Sequence, residues 1–497
     1  MPRASTTENK AAAAETTIRG AWPVLAVLCA SQLVVVLNLQ IVAVALPRIG
    51  EGLGVPPADL QWVISGYALA FGGFLLLGGR AADLFGHRRL FMVGLGVYAL
   101  ASLACGLAAN PVTLIGARAF QGIGAALFVP ATIALIADAF PAGAARDRAL
   151  AVWAAAGPVG GILSVAIGGA VADVLGWRTV FLISVPVAVI PLALAPAVLA
   201  GHGRREAGRM DVSGAVAGTA AIVALVYALD HAARGGLTSG PVLAAVPIGI
   251  ALLALFVAIE RRAPSPLVPA ALLRRGGVLS GSIVAFLHGA STNTPIVFFA
   301  LYLQQVQGAS LFATGIAFLP VNLALIAATI LGPRILARMG FGLTMVAGMV
   351  AIVAGLLIQS LLSSAGAYAT TLLPGLMIQG FGLGLALLGI VGAVTGGAAP
   401  AERGIAAGLM NTSAQIGTAI GLALLTAVFA SRATAGTAEV SAVVAGVQWA
   451  FRAAAGLAMV GVIAAFLVVR SPRAAGSVAG QDQVPDPVTA DRTLSDR

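Results

Sequence analysis

Apolar segments of similar length follow one another along almost the entire chain. A helix needs about 20 apolar residues to cross the hydrocarbon core of a bilayer, and windows of that length fit roughly fourteen times between residues 23 and 469. Of the 497 residues, 59% are hydrophobic and only 9% are charged, whereas soluble domains carry about 25% charged residues. The sequence therefore predicts an all-α polytopic membrane protein.

The predicted spans form three groups. Six lie near residues 23–46, 62–80, 89–108, 112–137, 149–172 and 177–200. Two lie near 212–231 and 241–259, and the last six lie near 278–303, 310–333, 341–363, 369–396, 404–430 and 447–469. The polar ends, residues 1–20 and 471–497, are predicted to be disordered tails.

The basic residues are divided unevenly between the two sides of the membrane. If the chain begins in the cytoplasm, the opposite side holds only Arg48, Arg178, Arg234, Arg432 and Arg452. Cytoplasmic loops are enriched in Lys and Arg, so this bias predicts that both termini are cytoplasmic and that the chain lies in the cell membrane. The net charge of +10 does not indicate nucleic-acid binding, because the basic residues lie in short loops.

Two pairs of similar segments indicate an internal repeat. The segment GGRAADLFG (78–86) is similar to GPRILARMG (332–340), and LIGARAFQGIGAA (114–126) is similar to LPGLMIQGFGLGL (373–385). The repeat predicts two parallel six-helix halves, with the seventh and eighth spans inserted between them. In transporters built on this plan, the substrate site lies near mid-membrane at the interface of the halves.

The loop GGRAADLFGHRR, between the second and third spans, is the most specific motif. It resembles the corresponding loop of the major facilitator superfamily through Gly79, Asp83, Gly86, Arg88 and Arg89. The glycines permit a tight turn, and the carboxylate at Asp83 can pair with a cation or with a helix N-terminus. The resemblance implies that this loop is a latch for one gate conformation.

Two further motifs resemble those of exporters in the same superfamily. Arg118, Gln121 and Gly122 share one face of the fourth span, and an arginine inside a membrane normally faces the bundle interior. An alternative is that Arg118 extends to the near membrane surface. In the fifth span, the antiporter-like motif would let the helix bend and pack closely; it consists of Gly157, Pro158, Gly160 and Gly161.

Other segments extend the resemblance to the fourteen-span drug:proton antiporters. They include WRTVFLISVP (177–186), ERRAPSPLVP (260–269) and LYLQQVQG (301–308), although Ser184 stands where that subfamily usually has Asn. The resemblance implies the major facilitator fold: an N-terminal half (21–200), an inserted helix pair with its linkers (201–276) and a C-terminal half (277–470).

Asn38 and Gln40 interrupt the apolar first span. That subfamily's first span resembles L-D-x-T-x-x-N-V-A-L-P, and this chain reads LNLQIVAVALP, so Asn38 replaces the acid and Gln40 replaces the threonine. Two residues apart, the two side chains point about 200° apart around a helix. One is expected to face the cavity and the other to hydrogen-bond a neighbouring helix. Because an amide cannot carry a proton, the usual proton site of the N-terminal half is in question.

No Asp or Glu falls near the middle of a predicted span. The group there that titrates near neutral pH is His288, in the ninth span, whose helical face continues through Ser291, Thr292 and Pro295. His288 is therefore a candidate proton carrier, with a structural hydrogen-bonding role as the alternative. Asn293 and Thr294 are expected to point elsewhere.

The leading hypothesis is a proton-coupled exporter of small lipophilic compounds that works as a monomer among membrane lipids. The alternatives are a metabolite facilitator or importer of the same fold, and a non-transporting membrane sensor. The sequence shows no paired membrane acids, no metal-ligand cluster and no phosphate-binding loop. We therefore expect no enzymatic activity, no catalytic residues, no metal and no cofactor, with the proton gradient as the energy source.

Overall fold

Helices make up all the regular secondary structure of the described residues. The structure is a computed structural model, and it describes residues 4–55, 59–141, 143–164, 169–199, 211–235, 238–263, 266–268, 270–273, 276–364, 368–399, 402–433 and 439–469. The predicted tail 471–497 lies outside these ranges. The predicted tail 1–20 differs, because the first helix already begins at Ala4 in an alanine-rich segment of high helix propensity.

The described part of the N-terminal half contains eight helical segments. They are α1 (Ala4–Leu53), α2 (Gln61–Phe85), α3 (His87–Gly106), α4 (Pro111–Ala139), α5 (Ala144–Leu163), α6 (Gly169–Leu175), α7 (Thr179–Leu182) and α8 (Ser184–Val198). We call the side where α1 begins the terminal side and the opposite side the far side. The α2–α3 loop lies on the terminal side, and the end of α1 meets the start of α7 on the far side.

The inserted pair and the C-terminal half complete the bundle. The inserted helices are α9 (Val212–Gly235) and α10 (Gly240–Arg262), and α9 packs against both α2 and α17. The C-terminal half consists of α11 (Ala270–Leu273), α12 (Gly276–Thr292), α13 (Pro295–Leu301), α14 (Leu311–Ala317), α15 (Leu319–Gln359), α16 (Leu373–Gly396), α17 (Arg403–Ala433) and α18 (Glu439–Val469). Two short π-helical turns, Tyr302–Val306 and Tyr368–Leu372, adjoin α13 and α16.

Among the described residues, 12 helices are long and apolar enough to cross a membrane. The remaining two predicted spans are also helical. The tenth and eleventh spans run together as one element, although Gly340 (φ 71°, ψ 171°) interrupts it. The fifth span appears as α5 and α6, and residues 165–168 between them lie outside the described residues.

The internal repeat is visible in the backbone. Gly86, at the end of the first repeated loop, has φ 95°, and Gly340, at the end of the second, has φ 71°. Only glycine adopts such angles without a steric penalty. The two loops therefore turn the chain in the same way, as expected of two halves that run in parallel.

The described residues form three apolar clusters, and two of them join the halves. One core runs through the C-terminal half and continues into the far-side part of the N-terminal half, where Ile41 and Ile49 share it with Phe298 and Phe318. A second core, which includes Leu28, Phe91 and Phe128, is built from α1 to α5 and α8. A smaller cluster between α2, α9 and α17 also joins the halves, and the larger apolar seal between them lies on the far side.

Candidate functional site

Arg118 lies at the centre of a polar network in the N-terminal half. The side chain is only 1% exposed. Its Nε donates to the carbonyl oxygen of Val63 on α2 at 2.7 Å, and its Nη1 donates to the amide oxygens of Asn38 on α1 and Gln121 on α4. Arg118 therefore ties three helices together and does not extend to the membrane surface.

The network continues to the third and eighth helices. Gln121 donates to the hydroxyl of Ser102 on α3 at 2.7 Å, and Ser102 donates to the carbonyl oxygen of Tyr98. On the other side, the amide of Asn38 donates to the hydroxyl of Ser184 at 3.4 Å. We call Arg118, Asn38, Gln121, Ser102 and Ser184 the Arg118 network.

The Arg118 network balances its positive charge without a carboxylate. The three oxygens that accept from the guanidinium are uncharged, and the ring of Tyr67 adds a cation–π contact at 4.6 Å. A buried cation needs such partners because losing water costs free energy. Asn38 links the guanidinium to the eighth helix, because it accepts from Arg118 and donates to Ser184.

A cavity of about 260 Å³ lies between α1 and the C-terminal half. Most of its wall is apolar, but five amide side chains and one hydroxyl also line it: Gln40, Asn293, Asn322, Gln359, Gln379 and Thr292. Gln359 donates to Gln379 at 2.7 Å, and Gln40 donates to Asn322 at 3.4 Å across the two halves. We call this space the central cavity; its lining residues carry no charge.

The central cavity contains one of the five predicted cavity and coupling residues. Thr292 lines it, whereas Asn38, Arg118 and Gln121 lie in the Arg118 network instead. The reason is their position on each helix: Asn38 faces the N-terminal half and Gln40 faces the cavity, as their spacing along α1 predicts.

His288 lies behind the cavity wall: it does not line the cavity, but its ring is hydrogen-bonded to the backbone of Leu383, which does. It is 8% exposed, and its Nε2 atom has no hydrogen-bond partner among the described residues. Its backbone carbonyl accepts from the hydroxyl of Thr292 at 2.6 Å. The expectation that Asn293 points away from this face was wrong. α12 ends at Thr292 and α13 begins at Pro295, so helical spacing does not continue across the break and Asn293 reaches the cavity.

The residues of the α2–α3 loop motif lie on the terminal side. His87 contacts both Asp138 at 2.7 Å and Asp83 at 3.5 Å. Arg88 donates to the carbonyl oxygen of Pro196 at 2.9 Å, and Arg89 is exposed. Gly86 makes the turn between the helices, and Gly79 lies near Pro130 of α4.

The fifth-helix motif packs α5 against α1. Gly160 lies beside Leu33, and Gly161 lies beside the side chains of Gln40 and Asn322. Pro158 is inside α5, and Gly157 has more space, with Val36 as its neighbour. The motif therefore places a smooth helical surface against the first helix, next to the central cavity.

Sequence reasoning missed Asn322, Gln359 and Gln379 as cavity residues. A signal for them was present, because each is an amide within an apolar run, as Asn38 and Gln40 are. Gln379 also occupies the Gln-Gly-x-Gly position that Gln121 has in the first repeat. Uncharged amides such as these also cost free energy when they are buried without partners, so they mark a polar site in a membrane span as carboxylates do.

Two helical halves that meet around a central cavity in a polytopic membrane bundle define a transporter, not an enzyme. The sequence matches the Major Facilitator Superfamily over residues 28–422, and the chain belongs to this family. The fold agrees: a solved POT family transporter in complex with 5-aminolevulinic acid has a TM-score of 0.67 and 14% identity, with 92% of this chain and 96% of that chain covered.

The relatives include proteins named for antibiotic export and resistance. A cephamycin export protein of Amycolatopsis lactamdurans is 39% identical over 424 residues, covering 84% of this chain and 87% of that protein. A puromycin resistance protein of Streptomyces alboniger is 35% identical over 479 residues, covering 93% of this chain and 94% of that protein. The chain is therefore a multi-pass transporter of the drug-efflux type.

Proposed function

We propose that the chain exports small lipophilic compounds, antibiotics among them, by alternating access through the central cavity. The observation that carries this proposal is the cavity itself, which is bounded by α1 of one half and four helices of the other. A site between the halves can open to either side as the halves move against each other. The relatives named for cephamycin export and puromycin resistance support export as the direction.

We further propose that the terminal side is cytoplasmic and that the structure represents an inward-facing state. The excess of arginine in the loops of the terminal side supports this orientation. The apolar core shared by both halves lies on the far side, and the core on the terminal side is built from the N-terminal half. In this state a compound would enter the central cavity from the cytoplasm.

The cavity lining favours neutral or weakly anionic substrates. A desolvated cation needs a counter-charge in a low-dielectric site, and the amides of Gln40, Asn322 and Gln379 provide none. They do provide hydrogen bonds to carbonyl, hydroxyl and amide groups. Polyketide-like and nucleoside antibiotics present such groups. Permanent dications are expected to be poor substrates.

We propose the proton gradient as the energy source and a monomer as the working unit, with lipid around the bundle. The residue that suits proton transfer by its chemistry is His288, which lies behind the cavity wall. We expect no cofactor to take part in alternating access. The Arg118 network in this proposal is structural, holding the first, second, third, fourth and eighth helices together as one rigid unit.

Transport in everted membrane vesicles tests the proposal. Vesicles with an imposed inward-acidic pH gradient are compared with vesicles lacking the chain, using chloramphenicol as a neutral compound and pentamidine as a dication. Gradient-dependent uptake of the neutral compound and little uptake of the dication are expected. Strong pentamidine uptake would contradict the charge argument. A ligand response without any uptake across a broad antibiotic panel would instead favour a membrane sensor.

A further inference from the structure

Gln40 and Asn322 form a side-chain contact between the two halves of the bundle. The amide nitrogen of Gln40, on α1, lies 3.4 Å from the amide oxygen of Asn322, on α15. Asn322 is buried and its own amide donates to the carbonyl oxygen of Phe318 at 3.3 Å. Asn322 is therefore held in place by its helix, whereas Gln40 reaches across from the other half.

The contact lies between the central cavity and the far-side seal. Both side chains line the cavity. One turn beyond Gln40, Val44 accepts a hydrogen bond from Gln304 of the other half at 2.7 Å, and Ile41 and Phe318 belong to the shared apolar core. For the far side to open, α1 must move away from α15, and the Gln40–Asn322 contact must then break.

Gly161 of the fifth helix sets the space that this contact occupies. A Cβ atom at position 161 would lie 2.5 Å from the amide oxygen of Asn322 and 2.9 Å from the amide nitrogen of Gln40. These distances are below van der Waals contact, and both atoms are at the ends of side chains. A methyl group at position 161 would therefore separate the two amides while leaving the backbones in place.

We propose that Gln40 and Asn322 are a polar latch that holds the far side closed, and that Gly161 is the residue that lets the latch form. The latch goes beyond the proposed export function and rests on it only for its use in the transport cycle. A long hydrogen bond between two uncharged groups contributes little net free energy. Such a bond suits a contact that must break and re-form in every cycle.

Distances between spin labels on the far side test the latch without any transport. The labels are placed at Leu107→Cys, beyond α3, and Leu361→Cys, beyond α15, in a background with Cys29→Ser and Cys105→Ala. Leu107 and Leu361 are each 68% exposed and belong to different halves. Pulsed electron paramagnetic resonance in lipid nanodiscs then gives the ratio of far-side-open to far-side-closed molecules.

Three variants remove or disturb the latch: Gln40→Leu, Asn322→Leu and Gly161→Ala. Each is expected to raise the open-to-closed ratio roughly twofold over the labelled parent, the ratio that corresponds to the lower end of the range for one net hydrogen bond. Two matched controls are expected to leave the ratio unchanged. Gln379→Leu removes a cavity amide whose partner, Gln359, is in the same half. Gly157→Ala adds a methyl group to α5 where the nearest side-chain atom is 3.8 Å away.

Equal ratios in the three variants and the parent would overturn the latch, and so would equal shifts in the variants and the controls. Gly161→Ala keeps both amides, so a shift in that variant cannot come from a lost cavity side chain. Gel filtration confirms that each variant is folded and monodisperse. Failure of the export proposal would appear differently, as absent vesicle uptake in a protein whose far-side distances still respond to these substitutions.

Discussion

The guanidinium of Arg118 donates a hydrogen bond to the side-chain oxygen of Asn38, which lies 80 positions earlier in the chain. Asn38 in turn donates to Ser184, so it connects the charged centre of α4 with α8. Asn38 stands where the drug:proton antiporters resembled by this sequence have an acid. The amide accepts from the guanidinium, and among the described residues no carboxylate balances the charge of Arg118.

Removing the Asn38 side chain should destabilise the N-terminal half. Asn38→Ala leaves Arg118 one acceptor short in a buried site, which costs about 2 kcal/mol for a hydrogen bond to a charged group. Asn38→Asp should be at least as stable as the wild type, since it supplies both an acceptor and a counter-charge. Thermal unfolding of the purified proteins in detergent, followed by tryptophan fluorescence, compares the unfolding temperatures of the wild type and the two variants.

Ser184→Ala is the control for this comparison. It removes the distant partner of Asn38, at 3.4 Å, and leaves the contact with Arg118 in place. Ser184→Ala should lower the unfolding temperature much less than Asn38→Ala does. If Asn38→Ala unfolds at the wild-type temperature, Arg118 does not depend on this acceptor and the network contributes little to stability.

Gln40 and Asn38 should respond differently to an added carboxylate. Gln40→Glu places a negative charge in the wall of the central cavity, where it can balance a desolvated cation. We expect this variant to gain export of ethidium, a permanent monocation, at least severalfold over the wild type. Loss of cellular ethidium fluorescence after energisation, in a host that lacks its own drug exporters, is the measurement.

Asn38→Asp is the matched variant, because it adds the same charge two residues away. Its carboxylate would face Arg118 inside the N-terminal half, not the cavity, so no gain of ethidium export is expected. A gain in Asn38→Asp and none in Gln40→Glu would reverse the assignment of these two side chains and would place the substrate on the other face of α1.

The sequence was sufficient to predict that these two amides face opposite ways, because helical spacing alone separates them. It was not sufficient to say which one faces the cavity. That depends on long-range partners, since Asn38 is fixed by Arg118 and Ser184, and Gln40 by Asn322. Asn293 was misplaced for a local reason: the break between Thr292 and Pro295 shifts the register, and no spacing rule predicts the angle across it.

Asp83 is expected to be essential for transport and dispensable for folding. Its carboxylate lies 3.5 Å from His87 in the terminal-side loop and is partly exposed, so the pair contributes little stability. Asp83→Asn keeps the shape and removes the charge. We expect the variant to reach the membrane at the wild-type level and to lose resistance in a hypersensitive host, because a loop that latches one gate conformation needs that charge.

Asp138→Asn serves as the comparison for Asp83→Asn. Asp138 contacts the same His87 at 2.7 Å, but from the end of α4 and not from the loop motif. If only the number of charges around His87 matters, the two variants should lose resistance equally. A larger loss of resistance in Asp83→Asn supports a gating role of the α2–α3 loop that requires this carboxylate specifically. Full resistance in Asp83→Asn at normal expression would contradict that role of the loop.

The fold was easier to predict than the site because it depends on composition and repetition. The lengths of the apolar segments predicted the spans, and the two similar glycine-containing loops predicted the parallel halves. The positive φ angles at Gly86 and Gly340 agree with this repeat. The extension of α1 back to Ala4 was not predicted, because the polar composition of residues 1–20 indicates a tail although their alanine content favours a helix. The central cavity depends on contacts between residues hundreds of positions apart, such as Gln40 and Asn322.

His288 should determine whether uptake of the substrate depends on the pH gradient. The cavity lining contains no carboxylate, and the imidazole of His288 lies behind it with an Nε2 atom that has no partner among the described residues. A proton carrier must bind and release a proton in each cycle, and imidazole is the side chain whose unperturbed pKa suits that task.

His288→Gln keeps a hydrogen-bonding side chain of similar size but cannot titrate, whereas His288→Ala removes both properties. In everted vesicles, chloramphenicol uptake by both variants should become independent of the imposed gradient, with downhill exchange retained in His288→Gln. If His288→Gln keeps the gradient dependence and only His288→Ala loses uptake, the imidazole is a structural hydrogen-bonding group, and the proton is carried elsewhere in the chain.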